Sequence, residues 1–151
     1  MIQRKQTLFL LVAFVATLAC LCLPIGMFEP ASMGGNIVLY NLGVRDANGM
    51  LGLGNVPLFI FLMLTCIITL AAIFLYSKRK LQAKLCYWCC VFDMAWYAYL
   101  AFCVFNQYAA CGSFRPALGI CLPLIALIFC LMAHRGIMAD ERLVKAADRI
   151  R

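Results

Sequence analysis

Charge is scarce in this sequence. Only 13% of its 151 residues are Asp, Glu, Lys or Arg, about half of the ~25% usual in a soluble domain. Acidic residues number six, histidine occurs once, and 66% of the chain is apolar. The sequence also lacks a phosphate-binding loop, a catalytic triad and a paired-carboxylate motif. This composition excludes a soluble cytosolic enzyme and a disordered chain, and it leaves an integral membrane protein.

Long apolar runs are what the sequence does contain. Each of four runs is near the ~20 residues that cross a hydrocarbon layer of about 30 Å as a helix. Because no backbone group can stay unpaired in lipid, each run predicts a transmembrane helix. The spans cover about residues 7–28, 56–76, 85–105 and 116–133. We therefore expect an all-α integral membrane protein with four antiparallel transmembrane helices in one domain, followed by a charged helical tail over residues 134–151.

Basic residues are distributed unevenly between the predicted spans. Eleven of the 13 Lys and Arg residues lie at the two termini and between the second and third spans, and the other two connections hold only Arg45 and Arg115. This asymmetry predicts cytoplasmic termini and an even number of spans. Since the basic residues cluster at span ends, the net charge of +7 reports topology, and we do not expect nucleic-acid binding.

The connection over residues 29–55 is the one sizeable loop on the predicted outer side. Its segment Asn36–Val44 resembles a strand, Asn48-Gly49 is a turn signal, and Met50–Leu53 is a second candidate strand. A small hairpin over the outer face is one interpretation. A glycine-rich irregular loop is the other.

Specific motifs stand at both ends of the chain. The start reads Met1-Ile2-Gln3-Arg4 followed by Gln6, and the end contains Asp140-Glu141, Leu143-Val144 and Asp148-Arg149 before Arg151. Together they resemble a family of small four-span inner-membrane proteins of Gram-negative bacteria whose function is unknown. Lys5 departs from the family pattern, which has an apolar residue there. The resemblance implies an uncharacterised multi-pass protein of the bacterial inner membrane, and it implies nothing about catalysis.

The two ends are also the candidate docking elements. In the tail, Ala139, Leu143 and Ala147 recur at helical spacing, and Glu141 with Lys145 forms an i,i+4 pair. A flank that only anchors the last span is the favoured interpretation, and the alternative is docking, to a protein partner, which mixed charge suits, or to lipid headgroups. Since both ends lie on one side, we expect the N-terminal segment to pack against the tail. The candidate docking residues are Gln3, Arg4, Gln6, Arg135, Asp140, Glu141, Leu143, Asp148 and Arg149.

Ten cysteines raise the question of redox chemistry. Cys86, Cys89 and Cys90 have dithiol spacing, but they lie at the inner end of the third span, in a reducing compartment. Packing between helices is the favoured interpretation, and thiol chemistry or metal binding is the alternative. We expect no metal site, since His134 is the one histidine. On the outer side a structural disulfide is left open, with the candidates Cys22, Cys103, Cys111 and Cys121.

Asp93 is the single acidic residue inside a predicted span. A lone acid there costs roughly 2.5–3.5 kcal/mol on insertion scales, so we expect it to face other helices. A buried hydrogen bond to Thr65 or Thr69 is one explanation, and a proton or cation transport site is the other. The same span is rich in aromatics around Trp96, for which helix or lipid contact is expected and a quinone pocket is the alternative.

These observations support three functions in order. The first is a non-enzymatic accessory or scaffold protein, without a cofactor, that acts through a membrane or cytoplasmic protein partner at the inner membrane. The second is a small transporter or channel component using Asp93. The third is a thiol or quinone oxidoreductase.

Overall fold

Four long helices account for most of the structure. The computed structural model describes residues 3–29, 35, 37–46, 49–76 and 78–149, without the side chains of residues 3–5, 110 and 147–149. The helices are α1 Gln3–Cys22, α2 Val56–Phe74, α3 Arg79–Phe102 and α4 Leu122–Arg149. A π-helical turn, Cys103–Gln107, continues α3, and a 3-10 turn, Leu118–Cys121, precedes α4.

Three helical segments in the described part of the chain are long and apolar enough to cross a membrane. They are Val56–Phe74, Arg79–Gln107 and Leu118–Ala146. The apolar part of α1, Gln6–Cys22, is shorter. The predicted membrane character is thus found in three of the four helices by length and composition.

The observed boundaries differ from the predicted spans where a proline or a strand intervenes. The first span was predicted to reach residue 28, but α1 ends at Cys22 because Pro24 has no N–H with which to continue the helix. The fourth was predicted to begin at residue 116, but α4 begins at Leu122. At the other end α4 continues through the predicted tail as one unbroken helix, and α3 begins at Arg79, six residues before the predicted start.

A five-stranded antiparallel sheet corrects the all-α prediction. Its strands are β1 Gly26–Glu29, β2 Ile37–Leu39, β3 Val44–Arg45, β4 Leu51–Gly52 and β5 Ser113–Pro116, in the order β4-β3-β2-β1-β5. The expected strand over Asn36–Val44 is two strands, β2 and β3, because the chain reverses where Tyr40 N–H donates to the Gly43 carbonyl at 2.8 Å. A hairpin, β3–β4, does form, but within this larger sheet; Asn48 lies outside the described residues.

Strand β5 was not expected at all. It pairs with β1 in the register Gly26 to Pro116 through Glu29 to Ser113, and Arg115 forms an ion pair with Glu29 at 3.0 Å. The pairing brings the end of α1 next to the start of α4. We call this part of the molecule the sheet end and the opposite part, which holds the α2–α3 turn at Lys78, the basic end.

Each of the four helices packs mainly against two others. Helix α1 contacts α2 and α4, and α3 contacts the same two helices. Since α1 meets the start of α4 at the sheet end and Gln6 meets Asp140 at the basic end, α1 and α4 are antiparallel. Alanines and cysteines fill much of the helix contacts, as in membrane proteins, where small side chains let helices approach. The fully buried small residues at these contacts include Ala13, Ala72, Cys89, Ala126, Cys130 and Ala133.

Asn41 connects the sheet to two helices. It lies in the turn between β2 and β3 and is fully buried. Its Nδ2 donates to the Cys20 carbonyl at 2.6 Å, and its Oδ1 accepts a hydrogen bond from Trp96 Nε1 at 3.0 Å. The Cys20 carbonyl belongs to the last turn of α1, where helix carbonyls lack partners within the helix. The Asn41 side chain therefore provides hydrogen-bond partners for a carbonyl of α1 and an indole N–H of α3.

The role of Asn41 predicts the effect of removing it. Asn41→Ala should lower the unfolding temperature of the detergent-solubilised protein, because it leaves the Trp96 indole N–H and the Cys20 carbonyl buried without these partners, at about 1–3 kcal/mol each. Asn106→Ala is the matched control, since Asn106 is exposed and donates only to the Phe102 carbonyl. Equal unfolding temperatures for the two variants would contradict this role.

Candidate functional site

The candidate site lies between the helices around Asp93. Asp93 is on α3 and is fully buried, and Thr65 of α2 is the polar side chain that faces its carboxyl group. The structure therefore places Asp93 toward other helices, as the insertion cost predicts. Trp96 lies one turn further along α3 and is also fully buried. The site thus sits between the network of Asn41 and the basic end.

The carboxyl group of Asp93 has no hydrogen-bond partner among the described residues. Both of its oxygens are buried and unpaired. The expected bond from Thr65 to Asp93 stays a prediction, because Thr65 is the hydrogen-bonding side chain that faces the carboxyl group, but both threonine hydroxyls also donate to carbonyls of their own helix. Thr65 Oγ1 donates to the Phe61 carbonyl at 3.0 Å, and Thr69 Oγ1 donates to the Thr65 carbonyl at 2.7 Å, the usual i−4 bond of helical threonines.

An unpartnered buried carboxyl group is expensive when it is charged. The arrangement can relieve this cost in two ways: a proton on the carboxyl group, or a small cation held between it and nearby oxygen atoms. The Thr65 hydroxyl faces the carboxyl group, and a hydroxyl oxygen can accept a hydrogen bond from a protonated carboxyl group. The buried and unpaired carboxyl group is therefore the candidate for proton or cation binding within the described residues.

The three inner cysteines pack between helices. Cys86 and Cys89 are fully buried and Cys90 is half-buried. Cys89 Sγ lies 3.3 Å from Thr69 Oγ1, and it packs in one cluster with Cys130 of α4. Within the part of the chain that the structure describes, no three His, Cys, Asp or Glu residues come together as metal ligands. His134 is close to another helix instead, with Nδ1 2.9 Å from the Ala83 carbonyl.

The outer disulfide that the sequence leaves open is not formed in the structure. All ten cysteines are free thiols. Among the four candidates, Cys103 is buried, Cys111 is half-buried, and Cys22 and Cys121 are exposed. It is Cys20, and not Cys22, that turns inward, where its thiol donates to the Gly119 carbonyl at 3.3 Å.

The basic end brings the two termini together, as the sequence predicts. Gln6 is buried, and its Nε2 donates to Asp140 Oδ2. Gly136 lies against Gln6, where an added Cβ would come within 3.2 Å of Gln6 Cγ. The predicted pair of Glu141 and Lys145 is present at 3.0 Å. Of the other docking candidates, Arg135 and Leu143 are exposed, and the side chains of Gln3, Arg4, Asp148 and Arg149 lie outside the described residues.

Sequence reasoning missed the polar network at the sheet end. Besides Asn41, it includes Asn55 at the start of α2, whose Oδ1 accepts a hydrogen bond from the Tyr108 hydroxyl at 3.0 Å. Burial raises the pKa of Tyr108 above its ordinary value, so this hydroxyl stays a donor at neutral pH. Tyr97 similarly donates to the Ile120 carbonyl at 2.6 Å. The available signal was a lone asparagine inside the apolar segment 37–44.

Three helical segments of the described chain have the length and hydropathy of membrane-crossing helices, and they pack through small residues around buried polar groups, as the helices of membrane proteins also do. The chain belongs to the family described as Domain of unknown function (DUF4293), whose model matches residues 2–150. The expected membership of a family of unknown function is thereby confirmed. No curated protein matches the chain.

The unpaired carboxyl group predicts an unusual mutational result. Asp93→Asn should change the free energy of unfolding by less than about 1 kcal/mol, because the substitution keeps the shape and breaks no hydrogen bond. Thr69→Val is the comparison, since it removes a buried donor that bonds the Thr65 carbonyl and contacts Cys89, and it should lower the unfolding temperature. Thermal unfolding in detergent measures both. A large loss for Asp93→Asn would mean that the carboxyl group has a structural partner.

Proposed function

We propose that this protein is a non-enzymatic accessory or scaffold protein of the bacterial inner membrane, with four spans and a cytoplasmic end that binds a protein partner. The fourth span in this proposal is α1. Its 20 residues correspond to about 30 Å of helix, the thickness of the hydrocarbon layer. Exposed apolar side chains cover its outward side, which is the pattern of a lipid-facing helix; they are Leu8, Leu11, Val15 and Leu18.

The orientation follows from charge. Lys78, Arg79 and Lys80 stand at the basic end, together with the bases of the C-terminal part of α4. The sheet end carries Arg115, which is paired with Glu29, and Arg45. By the positive-inside rule the basic end is cytoplasmic and the sheet faces outward.

The single observation that carries the scaffold function is the length of α4 and the exposure of its last turns. Its 28 residues extend over about 42 Å, whereas the hydrocarbon layer needs about 30 Å. Leu143, in the part beyond that length, is 63% exposed, and Ala139, one turn earlier, is exposed as well. We call Ala139 and Leu143 the tail face.

The chemistry around the tail face supports a protein partner over lipid. Acidic Asp140 and Glu141 are followed there by basic Arg142 and Lys145, and anionic headgroups would repel the acids. Complementary charges around an apolar contact are what sets register at a protein interface. Thiol exchange finds little support, because Cys86 and Cys89 are fully buried.

The tail face predicts where a partner can be captured. A photo-crosslinking amino acid at position 143 of the full-length protein in its native membrane should yield a discrete adduct of higher mass. The same amino acid at position 128 is the control, because Ile128 is exposed on α4 at a level that faces lipid. Adding Ala139→Gln should weaken the adduct at 143 several-fold, since it places a polar group in the contact. No adduct at 143, or the same adduct at 128, would contradict the proposal.

A small transporter or channel component is the second candidate, and the unpaired Asp93 favours it. An ionisable residue buried within a span is a functional-site hypothesis by default. Proton uptake into vesicles containing the purified protein should then be driven by a potassium diffusion potential, and Asp93→Asn should abolish it. Uptake equal to that of protein-free vesicles, or uptake unchanged in Asp93→Asn, would remove this candidate and leave the scaffold proposal standing.

A further inference from the structure

An open groove of about 660 Å³ lies at the basic end, between the start of α3 and the far part of α4. We call it the basic groove. Lys78 of the α2–α3 turn and Arg79 and Lys80 of the first turn of α3 line one side, and residues of α4 line the other. Its lining residues are Lys78, Arg79, Lys80, Leu81, Glu141 and Val144.

The basic groove has a net positive lining. Glu141 is its one acid, and that carboxylate is already engaged by Lys145 at 3.0 Å. Neither of the two ion pairs among the described residues involves Lys78, Arg79 or Lys80. These three charges therefore have no counter-charge in the described part of the chain.

The position of these bases in the helix makes their uncompensated positive charge more unfavourable. Arg79 and Lys80 occupy the first turn of α3, which contains no acidic residue. The first turn is the positive end of the helix dipole, where cations are disfavoured and anions are stabilised. An anion in the groove would relieve both the repulsion among the three bases and their repulsion from the helix end.

The apolar part of the lining indicates what kind of anion fits. Leu81 and Val144 are each 45% exposed in the groove. Large exposed aromatic side chains flank these residues in the chain: Tyr76 comes two residues before Lys78, and Tyr87 and Trp88 follow Leu81 by about two helical turns. Aromatic residues of this kind mark the membrane–water interface. The groove thus lies at the level of lipid phosphates, beside the lipid-facing surface of α3.

We propose that the basic groove binds the headgroup of an anionic phospholipid. Lys78, Arg79 and Lys80 contact the phosphate, and the acyl chains lie over Leu81 and Trp88 on the outer surface of α3. A soluble phosphate would satisfy the charges but would leave Leu81 and Val144 exposed. The groove does not include Ala139 or Leu143 of the tail face, and the Glu141 that it shares with the surroundings of that face is neutralised by Lys145. Lipid binding there does not require a protein partner.

The test uses the full-length protein in vesicles. Brominated phosphatidylglycerol quenches the fluorescence of Trp88 when it occupies the adjacent site, and brominated phosphatidylcholine is the neutral reference lipid. The parent protein should prefer phosphatidylglycerol. Lys78→Gln, Arg79→Gln and Lys80→Gln combined should reduce this preference about ten-fold or more, since each base near the surface contributes to the attraction.

The matched control removes three charges from the same end of the molecule outside the groove. It combines Lys84→Gln, Arg135→Gln and Arg142→Gln, all at exposed positions, and should leave the preference within about two-fold of the parent. If the groove triple variant fails to fold, as judged by its helix content, Arg79→Gln is compared with Lys84→Gln instead. Arg79→Gln should lower the preference for phosphatidylglycerol several-fold, and Lys84→Gln should leave it unchanged.

Several results would overturn the proposal. One is a parent protein without preference for phosphatidylglycerol, and another is an equal loss in the two triple variants, which would indicate general surface charge. Full competition by inorganic phosphate would indicate a site for free anions. If the groove triple variant keeps its lipid preference but no longer gives the crosslinked adduct at position 143, the groove binds an acidic protein and not a lipid. Failure of the crosslinking experiment alone leaves the lipid site unaffected.

Discussion

The hydrogen bonds of Asn41 hold the sheet end together. Its amide donates to the Cys20 carbonyl and its oxygen accepts from the Trp96 indole, so the β2–β3 turn, the end of α1 and the middle of α3 share one buried side chain. In an apolar medium each unsatisfied polar group is costly, and this turn fits over the helices because it supplies both partners. The pairing of β1 with β5 then fixes the start of α4 against the end of α1.

The two ends of the molecule are built by different means. The sheet end is closed by backbone pairing and neutral hydrogen bonds, including the bond from Tyr108 to Asn55. At the basic end, contacts between helices come from side chains: Gln6 with Asp140, and Gln82 with the Ala72 carbonyl at 3.0 Å. Many charges there remain exposed. A closed, nearly neutral end and an open, charged end favour interactions at the charged end, where both the tail face and the basic groove lie.

Asp93 differs from the other buried polar residues in what it lacks. Asn41 and Gln82 each donate to a carbonyl, and Thr65 and Thr69 bond within their own helix. Among the described side chains, three buried polar atoms have no hydrogen-bond partner: both carboxyl oxygens of Asp93 and the amide nitrogen of Asn55. Asp93 is therefore the described residue whose whole polar group is unpaired. A residue kept at a cost to stability is typical of a functional position. The transport candidate therefore depends on this group, whereas the scaffold proposal does not.

The sequence by itself determined the features that depend on local pattern. Apolar length located the helices, the i,i+4 spacing gave the pair of Glu141 and Lys145, and the insertion cost of a lone acid predicted that Asp93 is buried. The convergence of Gln6 and Asp140 followed from charge asymmetry, because that rule places both termini on one side.

Only the tertiary structure decided which distant residues meet. Strand β5 pairs with β1, whose residues lie 84 (Glu29 to Ser113) to 90 (Gly26 to Pro116) positions earlier. Ser113–Pro116 is too short to carry a strand signal of its own. Trp96 finds its partner in Asn41, 55 residues away. The threonines expected to bond Asp93 bond their own helix, because a carbonyl one turn back is always in reach, while a side chain on another helix must be placed by packing.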